Sequence, residues 1–496
     1  MEVLDSTIAN VVLPYIAGSM AISRDEASWV LTTYLVANAA IITATGYLAN
    51  RFGRKKFFVA SLVLFTASSL MCGLSQSFTE MLIFRVLQGL AGGGMVPLAQ
   101  SILADTFPPE KRGQGFAVFG IAVVVGPVIG PTMGGWLADN VSWNWCFLIN
   151  VPIGIIMTIA IMAILPEPSA ASAQRKSAGF DVIGFALVAT FLGALELVLD
   201  RGLEEDWFAS SFIVVAAAIS AMAFALMIPW EFNHPNPAVD VRMVATRQFG
   251  SSFLVMGAIG AIVLSTTQFL PQLVQQVFGY TAEFAGLVLS PGGIVTMMAM
   301  MVVGRLSGSI QPKYMIAVGA TLCAASMYVM TDTYSDLGFW FFAKSRILLG
   351  IGVPLIFVPI IAASYDGIPP ERTDQASALM NVARNTGGSV GISAVSNILS
   401  RREQFHQSRL TEHLILSGAQ YQSALNQVTN VFANLGNPLP AAQQQAIGWI
   451  GRQAQSQATF LGYVDAFWVL MLISLAAVPL ALILRKVQLG APVQIK

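Results

Sequence analysis

A short proline-rich motif occurs twice in the chain, and its recurrence decides the fold. The first copy, PPEKRGQG, occupies residues 108–115, and the second, PPERTDQA, occupies residues 369–376. Three further pairs share this separation: Arg85 and Arg346, Gly126 and Gly387, Gly130 and Gly391. A single separation that holds across two apolar stretches and the loop between them indicates an internal repeat. The sequence therefore predicts two homologous halves.

The composition places these halves in a membrane. The chain has 496 residues, of which 55% are hydrophobic and 10% are charged, whereas soluble domains carry roughly 25% charged residues. Lysine plus arginine and aspartate plus glutamate balance at 26 each, so there is no basic footprint for nucleic acid. The three cysteines lie far apart in apolar runs, which favours a packing role over a disulfide or zinc site.

Fourteen stretches meet the rule that a spanning helix needs about 20 mostly apolar residues. They are residues 1–20, 27–49, 57–76, 80–104, 115–138, 143–165, 180–200, 208–230, 249–273, 284–307, 313–331, 337–362, 375–399 and 460–485. The repeat aligns spans 4–5 with spans 12–13, so six spans at each end form the halves and spans 7–8 are an inserted pair. We predict an all-α polytopic protein of fourteen transmembrane helices, a secondary-transporter architecture.

Three regions follow from this arrangement. Residues 1–166 form the first six-helix bundle, 167–240 hold the inserted helices and their linkers, and 241–496 form the second bundle. The second bundle includes a long connection at 400–460, which is rich in Gln, Asn and Ala. Two interpretations of this connection stay open, a solvated insertion with one or two surface helices and a docking surface for a partner.

The charges of the loops predict the orientation of the chain in the membrane. Alternate linkers hold most of the lysine and arginine, as in NRFGRKK (50–56) and SAQRKSAG (172–179), while an opposite loop reads DRGLEEDW (200–207). Because basic short loops stay in the cytoplasm, we predict that the basic loops and both termini are cytoplasmic.

The positions of the lysines limit which energy source the protein can use. None of them follows a glycine, so the chain has no GxxxxGK[ST] phosphate loop. The run GLAGGG (89–94) lies inside an apolar span, where small residues favour close helix packing. An ion gradient is the simpler supply, and we predict a protein that is not an enzyme and needs no cofactor or metal.

A gradient-driven carrier needs an ionisable group inside the membrane, and such groups are functional hypotheses by default. The candidates are Asp5, Arg85, Glu196, Lys344, Arg346 and Arg384. Asp5 in LDSTIANVVLP (4–14) suits a proton carrier, because desolvation favours the protonated carboxyl and a nearby cation favours the ionised one. The alternative is that Asp5 only pairs with an arginine to lock helices. Glu196, Asn381 and Arg384 are candidate substrate or coupling residues, although Glu196 near Asp200 favours snorkelling to water.

Four motifs resemble those of the fourteen-span drug:proton antiporters of the major facilitator superfamily, of the EmrB/QacA type and EmrB permeases above all. They are LDSTIANVVLP (4–14), GYLANRFGRKK (46–56), RVLQGLAGGG (85–94) and GPVIGPTMGG (126–135). The likeness covers essentially the whole chain, and LDRGLEEDWF (199–208) and QAIGWIGRQ (445–453) narrow it to EmrB.

The resemblance implies a role for each motif. Asp5 and Arg85 would couple protons to transport. The cytoplasmic gate motif would comprise Gly46, Asn50, Arg51, Gly53, Arg54 and Lys55, and the antiporter motif Gly126, Pro127, Gly130, Pro131, Gly134 and Gly135. It also implies alternating-access efflux of apolar, often cationic drugs from the inner membrane, drug resistance, and a tripartite assembly with a periplasmic adaptor and an outer-membrane channel.

Two features depart from the family pattern. Asn50 stands where the gate motif usually has Asp, and a neutral amide bonds a helix end more weakly than a carboxylate does. Only four residues precede Asp5, whereas about ten would complete the span at 1.5 Å per residue. We therefore expect a late start at an internal Met, with Glu2 unusually deep.

Two other functions remain open for the same sequence. One is a dedicated transporter of a single metabolite in the same fold, and the other is a non-transporting membrane scaffold or receptor.

Overall fold

The structure is a computed structural model that describes residues 1–108, 111–165, 181–235, 237–332, 337–369, 372–412 and 418–487. These residues form helices and connecting turns, with no β-strand among them. The predicted basic loop 172–179 lies outside the described residues.

Helices α1 to α9 form the first half. They are α1 Glu2–Met20, α2 Arg24–Ile42, α3 Thr45–Phe52, α4 Arg54–Leu74, α5 Phe78–Gly92, α6 Met95–Thr106, α7 Arg112–Asn140, α8 Trp145–Leu148 and α9 Asn150–Ile164. Three predicted spans are each split into two helices at a short break, α2 with α3, α5 with α6, and α8 with α9. The break after α5 lies in the run GLAGGG, where a Cβ at Gly93 would come within 2.6 Å of the Asn38 carbonyl oxygen on α2. The predicted close packing of GLAGGG is confirmed.

The inserted pair is α10 Val182–Arg201 and α11 Ser211–Asn233, and a short α12 Val241–Val244 leads to the second half. The second half comprises α13 Arg247–Gln276, α14 Ala282–Leu306, α15 Pro312–Thr331, α16 Phe339–Ser364, α17 Thr373–Glu412, α18 Ala419–Asn434 and α19 Leu439–Ile483. The cysteines Cys72, Cys146 and Cys323 are free and buried, as a packing role requires.

The chain is a multi-pass membrane protein. Among the described residues, eleven helices are long and apolar enough to cross a bilayer. The other three predicted spans, 27–49, 115–138 and 375–399, fall on α2 with α3, on α7 and on α17. Fourteen spans are consistent with this arrangement.

The repeat is visible in the packing of glycines. In the first half, α7 lies against α1, and a Cβ at Gly126 would come within 3.0 Å of Val3 Cγ1. In the second half, α17 lies against α13, and a Cβ at Gly391 would come within 2.6 Å of Ala261 Cα. Each half thus uses glycines of one helix to bring a second helix backbone close, as small residues allow in membranes.

The long connection is more helical than the predicted span limits suggest. Helix α17 continues to Glu412 instead of ending near residue 399, and α19 begins at Leu439 instead of near residue 460. At 1.5 Å per residue α17 is about 60 Å long, roughly twice the hydrocarbon thickness. The extensions are held together by polar contacts, since Arg402 and His406 on α17 both reach Asp465 on α19. The predicted surface helices are confirmed.

Candidate functional site

A buried ion pair joins α1 to α5. Arg85 Nη1 donates to Asp5 Oδ2 at 2.7 Å, and both side chains are fully shielded from solvent. The same guanidinium donates through Nε to the Val30 carbonyl oxygen at 2.9 Å and lies over the Tyr34 ring, 4.4 Å from its centroid. Arg85 is therefore held by α2 as well as by the acid, through a backbone acceptor and a cation–π contact.

Two amide side chains complete the surroundings of Asp5. Gln88 Nε2 donates to Asp5 Oδ1 at 2.9 Å, and Asn150 Nδ2 donates to the same oxygen at 2.7 Å. Gln88 lies one helical turn after Arg85, on the same face of α5, while Asn150 is the first residue of α9. Asp5 thus accepts hydrogen bonds from one cation and two neutral donors.

Sequence reasoning missed Gln88 and Asn150. Both are buried, with exposures of 0% and 1%. The available signal was weak: Gln88 is the polar residue of RVLQG, and Asn150 interrupts the apolar run FLINVPIG. Such interruptions mark polar contacts between spans, but they do not name the partner.

The Glu2 carboxylate contacts α2, and its depth in the membrane stays a prediction. Its Oε1 accepts from Asn38 Nδ2 at 3.1 Å, and its Oε2 is buried and has no hydrogen-bond partner among the described residues.

The predicted gate motif connects the two halves. Arg54 Nε donates to Asp374 Oδ2 of α17 at 3.0 Å, and Asp374 is almost fully buried. Arg54 also pairs with Asp105 of its own half. Gly46 lies against the start of α17, since a Cβ there would come within 3.3 Å of the Gln375 backbone nitrogen.

The other described residues of the gate motif lie within the first half. Gly53 has a φ of 90° between α3 and α4, a backbone conformation that favours glycine. Lys55 donates to the Met162 carbonyl oxygen at 2.9 Å, and Arg51 is exposed. The side chains of Asn50, Pro127 and Pro131 lie outside the described part of the structure.

A second contact between the halves involves two residues that follow Asp374 on α17. Asn381 Nδ2 of α17 donates to Gln100 Oε1 of α6 at 2.7 Å, and Ser377 Oγ donates to the Pro97 carbonyl oxygen at 2.7 Å. All four residues belong to helices that meet at the end of the bundle carrying Arg54. This end, which we call the basic end, is closed.

Two other candidates face the boundary between the halves. Arg384 donates weakly to its neighbour Asn385, at 3.2 and 3.3 Å, and its Nη1 has no partner among the described residues. Glu196 of α10 is only 6% exposed and accepts from Ser389 Oγ of α17 at 2.7 Å. The expectation that Glu196 snorkels to water is wrong, because α17 covers this carboxyl. Lys344, by contrast, is exposed.

The glycines of the predicted antiporter motif form the contact between α7 and α1. A Cβ at Gly126, Gly130 or Gly134 would come within 3.2 Å of an α1 atom, whereas a Cβ at Gly135 would meet only Val11 Cγ1, at 4.0 Å. Since α1 carries Asp5, this contact sets how deeply the acid lies beside α5.

Comparison with known proteins agrees with this geometry. The sequence profile of the Major Facilitator Superfamily matches residues 1–392. The chain belongs to the major facilitator superfamily. It is 34% identical to the multidrug export protein EmrB of Escherichia coli K12 over 469 residues, 94% of this chain and 90% of that protein.

Two further proteins match nearly the whole chain. The chain is 32% identical to the fatty acid resistance protein FarB of Neisseria gonorrhoeae over 480 residues, 97% of this chain and 92% of FarB. The crystal structure of the human organic anion transporter MFSD10 matches with a TM-score of 0.57 at 14% identity, covering 95% of this chain and 97% of that one. This last likeness shows the major facilitator fold alone.

Proposed function

We propose that this major facilitator protein is a proton-coupled antiporter that exports hydrophobic compounds by alternating access. The observation that carries the proposal is the buried Asp5–Arg85 pair. An acid that is inaccessible in one conformation and tied to an arginine can exchange its partner for a proton in another, so protonation and conformation become linked. The names of EmrB and FarB, a multidrug export protein and a fatty acid resistance protein, support export as the direction.

Alternating access requires contacts between the halves that form in one state and break in the other. Arg54 with Asp374, and Gln100 with Asn381, are suitable contacts at the basic end. In our proposal these contacts close the basic end, and their separation opens the path on that side.

The proposed setting is the inner membrane, with the basic loops and both termini in the cytoplasm, following the charge rule. The extensions of α17 and α19 with α18 would then project outside the cytoplasm. A periplasmic adaptor that leads to an outer-membrane channel is the partner we propose for this projection. Exposed apolar side chains on the projection support that role, among them Leu435 at 73% and Leu439 at 64%.

The test uses the purified protein in liposomes with an imposed proton gradient. We expect uphill movement of the lipophilic cation ethidium in the wild type, loss of that movement on adding an uncoupler, and its loss in Asp5→Asn. Asp139→Asn, an acid of the same half near the end of α7, is the matched control and should transport normally. Proton-driven transport that persists in Asp5→Asn would refute the mechanism.

The same assay separates the alternative functions. A dedicated metabolite transporter would move none of several unrelated hydrophobic compounds, and a scaffold or receptor would move nothing under any gradient.

One observation favours a second substrate class, organic anions. Arg346 corresponds to Arg85 in the repeat, but its Nε and Nη1 have no partner among the described residues, and Arg384 Nη1 is in the same condition. The counterpart of α1, helix α13, contains no acidic residue. A carboxylate on the substrate would supply the missing acceptor.

Laurate, a hydrophobic carboxylate, tests this class in the same liposomes. We expect Arg346→Met to reduce laurate export while ethidium export is retained, with the exposed Arg305→Met as control. Equal loss of both substrates would argue for a structural role of Arg346.

A further inference from the structure

The inserted helix α10 lies between the two halves. Its outer end is attached to α2, because Arg201 donates to the Asp25 carbonyl oxygen at 3.2 Å and lies over the Trp29 ring, 4.8 Å from its centroid. One residue earlier, Asp200 accepts a hydrogen bond from the buried Thr32 of α2. Through these contacts α10 is attached to the first half.

A hydrogen bond ties α10 to the second half. Ser389 Oγ donates to Glu196 Oε1 at 2.7 Å, one turn below Asp200 on α10. Because α10 is attached to α2 while Ser389 belongs to α17, this bond crosses a boundary whose two sides move relative to each other in alternating access. The bond must therefore break when the halves separate at this level.

Glu196 has no cationic partner among the described residues. On the packed helices, α2 carries charges only in its first turn, Arg24, Asp25 and Glu26, and α11 carries only Glu231, at its opposite end. On α17 the nearest charge is Arg384, more than a turn from Ser389, and the nearest on α10 itself is Asp200.

A buried carboxylate without a cation is strongly disfavoured, and such a group takes up a proton instead. Glu196 differs in this from Asp5, which is paired with Arg85 and accepts from three donors. The two acids are thus in opposite environments within one conformation.

We infer that Glu196 is a second proton-binding residue of the transport cycle. The neutral carboxyl bonds to Ser389 while α10 and α17 are in contact. When they separate and water enters, the O–H bond breaks, the proton passes to water, and a carboxylate remains. Renewed contact requires a proton from water. This inference rests on the proposed antiport and gives the inserted helix a function in it.

Infrared spectroscopy of the purified wild type and variants tests the protonation without a substrate. At neutral pH we expect a carbonyl band of a protonated carboxyl group that Glu196→Gln removes and that Asp5→Asn retains. Ser389→Ala should keep the band but shift its frequency, because the hydrogen bond is lost. It also serves as the second variant if Glu196→Gln does not fold. Glu205→Gln, at the same end of α10 in a more exposed position, is the control and should leave the band unchanged.

Retention of the full carbonyl band in Glu196→Gln, or an unshifted band in Ser389→Ala, would overturn the inference. In liposomes, Glu196→Gln should change the pH dependence of ethidium transport relative to the wild type, and an unchanged pH profile would also overturn the inference. If Asp5→Asn abolishes coupling while Glu196→Gln changes nothing, only this inference fails. If neither variant affects coupling, the proposed antiport fails as well.

Discussion

Arg85 and Arg346 occupy corresponding positions in the two halves, yet among the described residues Arg85 binds an acid and Arg346 does not. Arg85 binds Asp5 at 2.7 Å, whereas two nitrogens of Arg346 have no partner within the described part of the chain. The repeat is therefore symmetric in its helices and asymmetric in its charges.

The Asp5–Arg85 pair should show strong energetic coupling. Asp5→Asn or Arg85→Met alone leaves an uncompensated polar or charged group buried, which costs about 3–5 kcal/mol. The double variant should lose less than the two single variants together. Apparent melting temperatures of the detergent-solubilised protein measure this. The exposed pair Arg409–Glu412 is the control, with an expected coupling below about 1 kcal/mol. Strict additivity at Asp5 and Arg85 would contradict a buried pair.

The contact of Arg54 with Asp374 should keep the basic end closed. Asp374→Asn removes the charge of the buried partner, so a cysteine placed at the shielded Ser377 should react several-fold faster with a membrane-impermeant maleimide. Asp105→Asn, which removes the more exposed partner of Arg54, should have a smaller effect. Equal reaction rates in the two variants would show that Asp374 does not hold the halves together.

The glycines of the helix contacts should differ in tolerance to alanine. A Cβ at Gly387 meets the backbone of Gly257, which cannot rotate away, while at Gly130 it meets the side chain of Thr7. We expect Gly387→Ala to destabilise most, by about 1–3 kcal/mol, and Gly130→Ala less. Gly135→Ala should be neutral, since only Val11 is within reach, at 4.0 Å. Thermal unfolding ranks the three variants, and a neutral Gly387→Ala would contradict the close approach of α17 to α13.

Asn150 should hold the Asp5 carboxylate in place beside α5. Asn150→Leu removes a donor to Asp5 Oδ1, and a hydrogen bond to a charged group contributes about 1.5–3 kcal/mol. We expect the variant to lose about this much stability and to transport ethidium more slowly. Thermal unfolding and proton-driven ethidium transport in liposomes measure the two effects. Asn10→Leu, on the same helix as Asp5 but exposed, should change neither.

Much of the fold could be predicted from residues taken one at a time. Apolar stretches predict spans because each residue contributes its own transfer free energy, and the repeated PPE motif predicts the two halves. The same rules failed at the ends of α17 and α19, where Arg402 and Asp465 stabilise helices beyond the membrane. Hydropathy does not report such contacts, since they join residues far apart in the chain.

The candidate site divides in the same way. Asp5 and Arg85 are recognisable in the sequence because an ion in an apolar span is costly and needs a reason. That Asn150 binds Asp5, that Asp374 binds Arg54 and that Ser389 covers Glu196 depends on which helix faces which. The sequence by itself determined the spans, the repeat and the charged residues within them. Only the tertiary structure decided which charges are paired and which are shielded, because pairing and burial are properties of packed helices and not of single residues.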